Sequence, residues 1–473
     1  MKYYPFISIV LVLLLFSSCT SMREDSASES NSQSAFKITE QDLNEVFFHR
    51  VDGETRSSSI RIEPIVSEGD TVLFLVHFKN GWKLLSSDKR TSPILAYGAD
   101  EELDSLLLAK NPALQSWLDV QCAHIRALRE TQSGEKNPFW AAFDRVPETR
   151  DEIDPPGPGW RLIHTGDTII VYHDVPHLIE TKWSQDSLWY HCFPFVGNDY
   201  PGIHCHPGCM NVAFAQIAYW AHSEYGVPVY MYTDAYCNDY MNPEQQYTFF
   251  FNDSSATDWS SIKKTASSPG SADYASYLMV KVSQMNDTHY WMEGSNQITG
   301  SNSNITTINA ICEYFGLSCN YSNYNENTVL ASLITHKPVY IFAYINTPFG
   351  GHGWIIDGYH RHYHCIKRYY IWDPNHTYVI PGEENIGEED EPGGEIFSGM
   401  GFSFDFPEGY NTYTEEWPSQ YEYLLMNWGF GGYGDNFAYN VNTIGWAPNG
   451  AGSPYLNTSA HIATGFAPIV PTE

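Results

Sequence analysis

The stretch His204–Trp220, HCHPGCMNVAFAQIAYW, constrains the fold most, because it reads as a tight turn feeding one buried helix. Pro207-Gly208 breaks the chain. After it, Met210, Ala213, Phe214, Ile217 and Trp220 recur at helical spacing and form one apolar face. Ala213, Ala215 and Ala218 leave room for close packing on other sides. Cys209 falls in the first turn, where free backbone N–H groups and the positive end of the helix dipole favour a thiolate. The thiolate, not the thiol, is the nucleophile in acyl transfer. Read alone, a cysteine in such an apolar stretch is most often a small buried hydrophobe. A third reading is a metal site, since His204, Cys205, His206 and Cys209 offer two imidazoles and two thiols, although without the paired spacing of structural zinc.

A thiolate nucleophile needs an imidazole from elsewhere in the chain. The segment FGGHGWIIDGY, Phe349–Tyr359, places His352 after two glycines and ahead of the apolar run Trp354-Ile355-Ile356. That run reads as a buried strand closed by Asp357-Gly358. Further on, LLMNWGFGG contains Asn427, which can orient an imidazole, and Trp428, which can shield that hydrogen bond from water.

Together these segments resemble the streptopain-type cysteine peptidases of the papain-like superfamily. Gly208-Cys209 with Ala215-Gln216 matches the family's GC and AQ pattern, and Gly350-Gly351-His352 with Ile356-Asp357-Gly358 its GGH and IDG signature. Asn427 to Gly432 matches NWGxGG, and Lys182-Trp183-Ser184-Gln185 resembles KWxQ. The resemblance implies an α+β, papain-like catalytic domain with Cys209, His352, Asn427 and Trp428 as catalytic residues. It makes Gln185 an oxyanion donor beside the Cys209 N–H. By position it assigns substrate binding to Gly300, Ser301 and Gly351, with Gly300–Ser303 as a polar loop before a helix, and a mobile glycine-rich loop to Gly445–Pro454. No cofactor or metal is implied.

Upstream, Val72–Phe78, Asn80-Gly81 and Trp82–Leu85 read as a hairpin, and Leu114, Trp117, Leu118, Gln121, Ile125 and Leu128 as one helix face. The stretch Gly81–Gly98, GWKLLSSDKRTSPILAYG, resembles the streptopain propeptide hallmark. This implies a small α+β inhibitory propeptide at 36–130, whose loop near Leu106–Pro112 would occupy the active site. Residues 131–159, rich in Pro and Gly and carrying Arg145 and Arg150, read as a processing linker. The catalytic domain then covers 160–473. His352 and Asn427 are 75 residues apart, so an insertion at about 360–420 is expected, with an added hairpin at Tyr369–Asp373 and Tyr378–Ile380 and an acidic run at Gly382–Glu395.

At the start, Lys2 and the apolar run Phe6–Phe16 read as a signal peptide over 1–19, too short to span a bilayer. Ser17-Ser18-Cys19 resembles a lipoprotein cleavage site, so Cys19 is a lipidation candidate and 20–35 a tether; plain secretion is the alternative. Both place the protein in the cell envelope or outside it, where Cys192, Cys205, Cys237, Cys312, Cys319 and Cys365 are able to pair. The net charge of −31 argues against nucleic acid or an anionic membrane as partner. The partners expected are protein or peptide substrates and the chain's own propeptide, with membrane contact only through lipid. An inactive adhesin and a metal-binding envelope protein are the competing classes.

Overall fold

The computed structural model describes residues 36–43, 61–78, 81–99, 101–131, 134–137, 140, 160–186, 188–193, 195–196, 204–226, 236–238, 248–250, 259–286, 288–293, 297–302, 307–344, 351–373, 412–444 and 460–469. Cys19 with the signal and tether, most of the 131–159 linker, Tyr378–Ile380, the acidic run and Gly445–Pro454 lie outside them. Residues 36–473 form one unit. Among the described residues no helix is long and apolar enough to cross a membrane.

Strands β1 (Arg61–Ser67), β2 (Asp70–Phe78), β3 (Gly81–Ser86) and β4 (Ile94–Gly98) pair in antiparallel succession, and the continuous apolar run Val72–Val76 of β2 is buried on both faces. Helices α1 (Ser105–Lys110) and α2 (Pro112–Thr131) follow. Asp104 caps the first through Leu107 N–H at 2.7 Å, and Asn111 accepts from Leu114 N–H at 2.9 Å at the start of the second. The expected face of α2, Leu114 to Ile125, is buried.

The remaining elements in chain order are β5 (Trp160–Val175), β6 (Phe195–Val196), α3 (Cys209–Tyr225), β7 (Tyr236–Asn238), β8 (Thr248–Phe250), α4 (Pro269–Met285), β9 (His289–Glu293) and β10 (Gln297–Asn302). They continue with α5 (Ile308–Tyr314), β11 (Leu317–Asn323), α6 (Glu326–Ile334), β12 (Val339–Tyr344), β13 (Gly351–Trp372), β14 (Thr412–Asn427), β15 (Phe437–Asn440), α7 (Val441–Ile444) and β16 (His461–Pro468). The main sheet runs β1-β2-β3-β4-β15-β14-β13-β12-β16-β11, with β5 also paired to β13.

Of three cores among the described residues, two lie on opposite faces of the sheet at β12, as its alternation requires. Tyr340 and Phe342 join Phe214, Ile217 and Phe466 in the core around α3. Val339, Ile341 and Ala343 join Trp354, Trp428, Tyr439 and Leu333 of α6 in the other, and Trp117 of α2 belongs to that core too. The upstream unit therefore shares its interior with the rest of the chain. Its last strand continues the sheet, with Gly98 opposite Phe437 and Ala96 opposite Tyr439. Trp82 meets Phe437 edge-on at 4.6 Å, and Trp117 meets Tyr439 at 5.1 Å.

Three expectations are corrected here. The strand at Trp354 does not close at Asp357-Gly358. Its register with β14 slips between Ile356 and Gly358, and the strand runs on to Trp372. A bulge bends a strand without ending it, and glycine suits this one because a Cβ at Gly358 would lie 2.6 Å from Leu425 and 2.8 Å from the Val175 carbonyl. Tyr369–Trp372 accordingly belong to a long ribbon, β5–β13–β14, and not to a separate hairpin. Gly300 and Ser301 lie in strand β10, opposite Trp291 and Tyr290, where a polar loop was expected.

Candidate active site

Helix α3 begins at Cys209 itself, after Gly208 with φ +86°. Its buried side chains bed it against the sheet, and its first turn meets β13 beside His352. A Cβ on Gly353 would lie 2.9 Å from Met210 Cγ and 3.1 Å from Met210 Cα, so only glycine permits this approach. The Gly353 N–H donates to Cys209 Sγ at 3.3 Å.

His352 is buried between aromatic rings: Trp354 at 5.8 Å, Phe430 at 5.5 Å and Trp428 at 6.3 Å, all near-parallel. Its Nε2 lies 3.1 Å from the Trp428 carbonyl oxygen. A carbonyl only accepts, so Nε2 carries the proton and Nδ1 is left with a lone pair. The imidazole and the Cys209 thiol do not hydrogen-bond to each other.

Asn427 does something other than expected. Its Oδ1 accepts from Gln216 Nε2 at 3.0 Å and from Gly429 N–H at 3.2 Å, while its Nδ2 donates to the Thr181 carbonyl at 2.9 Å. Thr181 Oγ1 donates to Gln216 Oε1 at 2.7 Å. The asparagine thus locks α3 to β14, and the imidazole is oriented by the backbone of the next residue. Trp428 in turn is fixed at both ends: its N–H donates to Asp435 Oδ1 at 3.0 Å and its Nε1–H to Tyr439 Oη at 3.0 Å. From sequence Gln216 was marked only as part of the AQ pattern, with no role given to it, and Asp435 was not singled out. A buried amide in an alanine-rich helix was the available signal for the first; the second has none without the fold.

The electrostatics also depart from the helix-dipole expectation. Burial pushes the Cys209 thiol up, and the N–H groups of Gly353, Met210 and Cys209 itself offset this only in part. Burial likewise holds His352 down to about 4, against a smaller opposing effect of the Trp428 carbonyl. At Cys209 burial therefore acts more strongly than the first-turn N–H groups that favour the thiolate, and at His352 it favours the neutral ring.

Burial raises the Asp435 carboxyl to about 7, against the Trp428 N–H and the Lys182 charge, which act the other way. A carboxyl raised on folding binds more protons in the folded state, so its contribution is lost as pH rises from the ordinary 3.8 through about 7. A histidine held low has the opposite sign: its contribution is lost as pH falls from 6.5 towards about 4. The two offset each other in the shared window. Asp435→Asn should therefore expose the His352 slope, with Tm falling more steeply on acidification. Calorimetry between about pH 4.5 and 7.5 checks this, and parallel profiles for the two proteins would rule it out.

Gln185 is half-buried, and His206 Nδ1–H holds its carbonyl at 2.9 Å. Its side-chain amide has no hydrogen-bond partner among the described residues. His204 Nδ1–H donates to Phe193 O at 2.9 Å. With their Nδ1 atoms committed to separate carbonyls, His204 and His206 do not gather with Cys205 and Cys209 into a metal cage. Among the described residues the donors that do lie together are His191, Cys192 and Asp273, within 4.8 Å, with His191 Nε2 against Asp273 Oδ1. Gly351 is paired opposite Tyr344, and a Cβ there would reach the Phe342 ring at 2.6 Å, which gives it a packing role.

The segment expected to fill the active site is helix α1 with Asn111. Asn111 Nδ2 donates to the Tyr433 carbonyl at 2.6 Å, Lys110 Nζ to Tyr433 Oη at 3.3 Å, and Gly434 N–H to Glu101 Oε2 at 3.2 Å. The contacts fall on the loop after Trp428; neither Cys209 nor His352 is hydrogen-bonded by it.

The model of the Peptidase C10 family matches residues 183–372, a span that holds both Cys209 and His352. On this match the chain is a cysteine peptidase. A fragment of Prevotella intermedia prointerpain A is similar in structure at 13% identity and a TM-score of 0.49, over 86% of this chain and 98% of that one. Active wild-type interpain A cysteine protease of the same organism gives 13% and 0.33, over 61% of this chain and 94% of that one. None of the curated proteins compared with the chain matches it.

Proposed function

We propose that the chain is a papain-like endopeptidase of the streptopain type, exported, anchored through lipid on Cys19 or secreted, and made as a zymogen with 36–130 as its inhibitory propeptide. The observation that carries the catalytic reading is a helix-start cysteine bonded by the N–H of Gly353, the residue next in chain to a histidine whose Nε2–H is tied to a backbone carbonyl. That tie leaves Nδ1 free to take a proton. Sγ of Cys209 attacks the scissile carbonyl carbon as its proton passes to the imidazole. The oxyanion is held by the Cys209 N–H and the Gln185 amide. The imidazolium then protonates the leaving amine, and water, activated by the same imidazole, hydrolyses the thioester. These steps use no metal or organic cofactor.

Labelling the matured protein with a thiol-directed peptide inhibitor, then mapping the modified cysteine, tests this. The expected product carries the label on Cys209, and label on Cys205 or on none would overturn the reading. Gln185→Ala should lower kcat by about 100-fold while leaving KM within a few-fold. Unchanged kcat in steady-state assays would remove Gln185 from the oxyanion site.

A further inference from the structure

Two cysteines outside this site lie close enough to react with each other. Cys312 is in α5 and Cys319 in β11, and the chain turns between them at Gly316, whose φ of +65° favours glycine. The Gly316 N–H donates to Glu313 O at 2.9 Å, and its own carbonyl accepts from Ile469 N–H at 2.9 Å. The turn folds β11 back along the helix and brings the two sulfurs to 3.1 Å. The β11–β16 register slips at this point: Ser318 faces Ala467 and Asn320 faces Thr464, so two residues of β16 oppose Cys319 alone. Irregularities of this kind re-aim a side chain. Cys312 is 1% exposed, whereas Cys319 keeps access to solvent.

We propose that Cys312 and Cys319 are a dithiol that closes to an intramolecular disulfide by exchange with a disulfide donor such as oxidised glutathione. The roles divide by position. The hydrogen bond from Cys312 holds the Cys319 thiol low, and the same contact together with burial pushes Cys312 up. Cys319, as thiolate, attacks one donor sulfur; the donor S–S bond breaks and its other sulfur leaves as a thiolate that takes up a proton. Cys312 then loses its proton and attacks Cys319 Sγ, breaking the mixed disulfide and releasing the second donor thiol. The donor gains two electrons and two protons, and the dithiol loses them. This pairing is independent of the peptidase chemistry at Cys209.

The test uses the full-length chain carrying Cys209→Ala, reduced and then equilibrated with oxidised and reduced glutathione. The sample is acid-quenched, denatured, alkylated and digested with trypsin. No Lys or Arg lies between Lys281 and Lys337, and Cys312 and Cys319 are the only cysteines there, so both fall on one peptide. The expected peptide carries neither alkyl group, is two hydrogens lighter, and stays joined after cleavage at Glu313 until reduced. Both thiols alkylated in the oxidising buffer, or glutathione retained on Cys319, would overturn the proposal. In Cys319→Ser, Cys312 should remain fully alkylated; its oxidation there would show that its partner is another residue.

Discussion

Cys209→Ala is expected to slow peptide hydrolysis by at least about 10⁴-fold while the protein stays folded. The loss is large because the sulfur forms the bond to substrate, and no other described thiol stands at the same point. Stability should change little. The sulfur accepts from the Gly353 N–H at 3.3 Å and, among the described residues, meets only first-turn N–H groups besides, and alanine is a good first residue for a helix whose cap is the Gly208 backbone. His352→Ala should lose activity to a similar degree but be less stable, since the Trp428 carbonyl is then left buried without its donor. Cys205→Ala, a change in a buried side chain outside the helix, should keep most activity. Assays on matured protein with a fluorogenic peptide, paired with circular dichroism, make the comparison. Full activity in purified Cys209→Ala would end the mechanism proposed above.

The full-length chain is expected to be nearly inactive and to gain activity when cut within 131–159. The physical basis is the extent of the contact. Strand β4 continues the sheet through β15, Trp117 packs on Tyr439, and Glu101 and Asn111 bond the loop that follows Trp428. Trp428 in turn supplies the carbonyl that orients His352. Separately made 36–130 should therefore inhibit the matured enzyme when added back. Asn111→Ala in that fragment should weaken inhibition by about tenfold, the worth of roughly one hydrogen bond. Asp104→Ala, which removes only the cap of α1, is the control and should weaken it less. Equal activity of cut and uncut chains would leave the upstream unit a folding aid. Since Phe437 and Tyr439 are buried partly by Trp82 and Trp117, the 160–473 chain made alone should fold poorly, and recover with the fragment present.

Much of the local structure was legible. The apolar spacing after Pro207-Gly208 marked α3 and put Cys209 at its start, and the buried face of α2 followed from the helical period of 3.6. Chemistry-bearing residues could be named because nucleophile, base and glycine turns occupy short motifs. Where the reading failed, the deciding neighbour was distant in the chain. Asp357-Gly358 resembled a strand end, and only pairing with β14 showed a bulge. Gly300-Ser301 resembled a loop, and only the opposite strand made it β10.

The sequence by itself determined the helices that start at Cys209 and Pro112 and which residue types could do acyl transfer, because those depend on neighbours a few positions away. The tertiary structure alone decided their working state. Asn427 turned to Gln216 and Thr181, and the Trp428 carbonyl took the imidazole, because side-chain partners are chosen by proximity in space. The direction in which Cys209 and His352 are shifted was decided there as well. The helix dipole is a local property visible in sequence, but desolvation is a sum over every atom packed around the site, and here it is the larger effect.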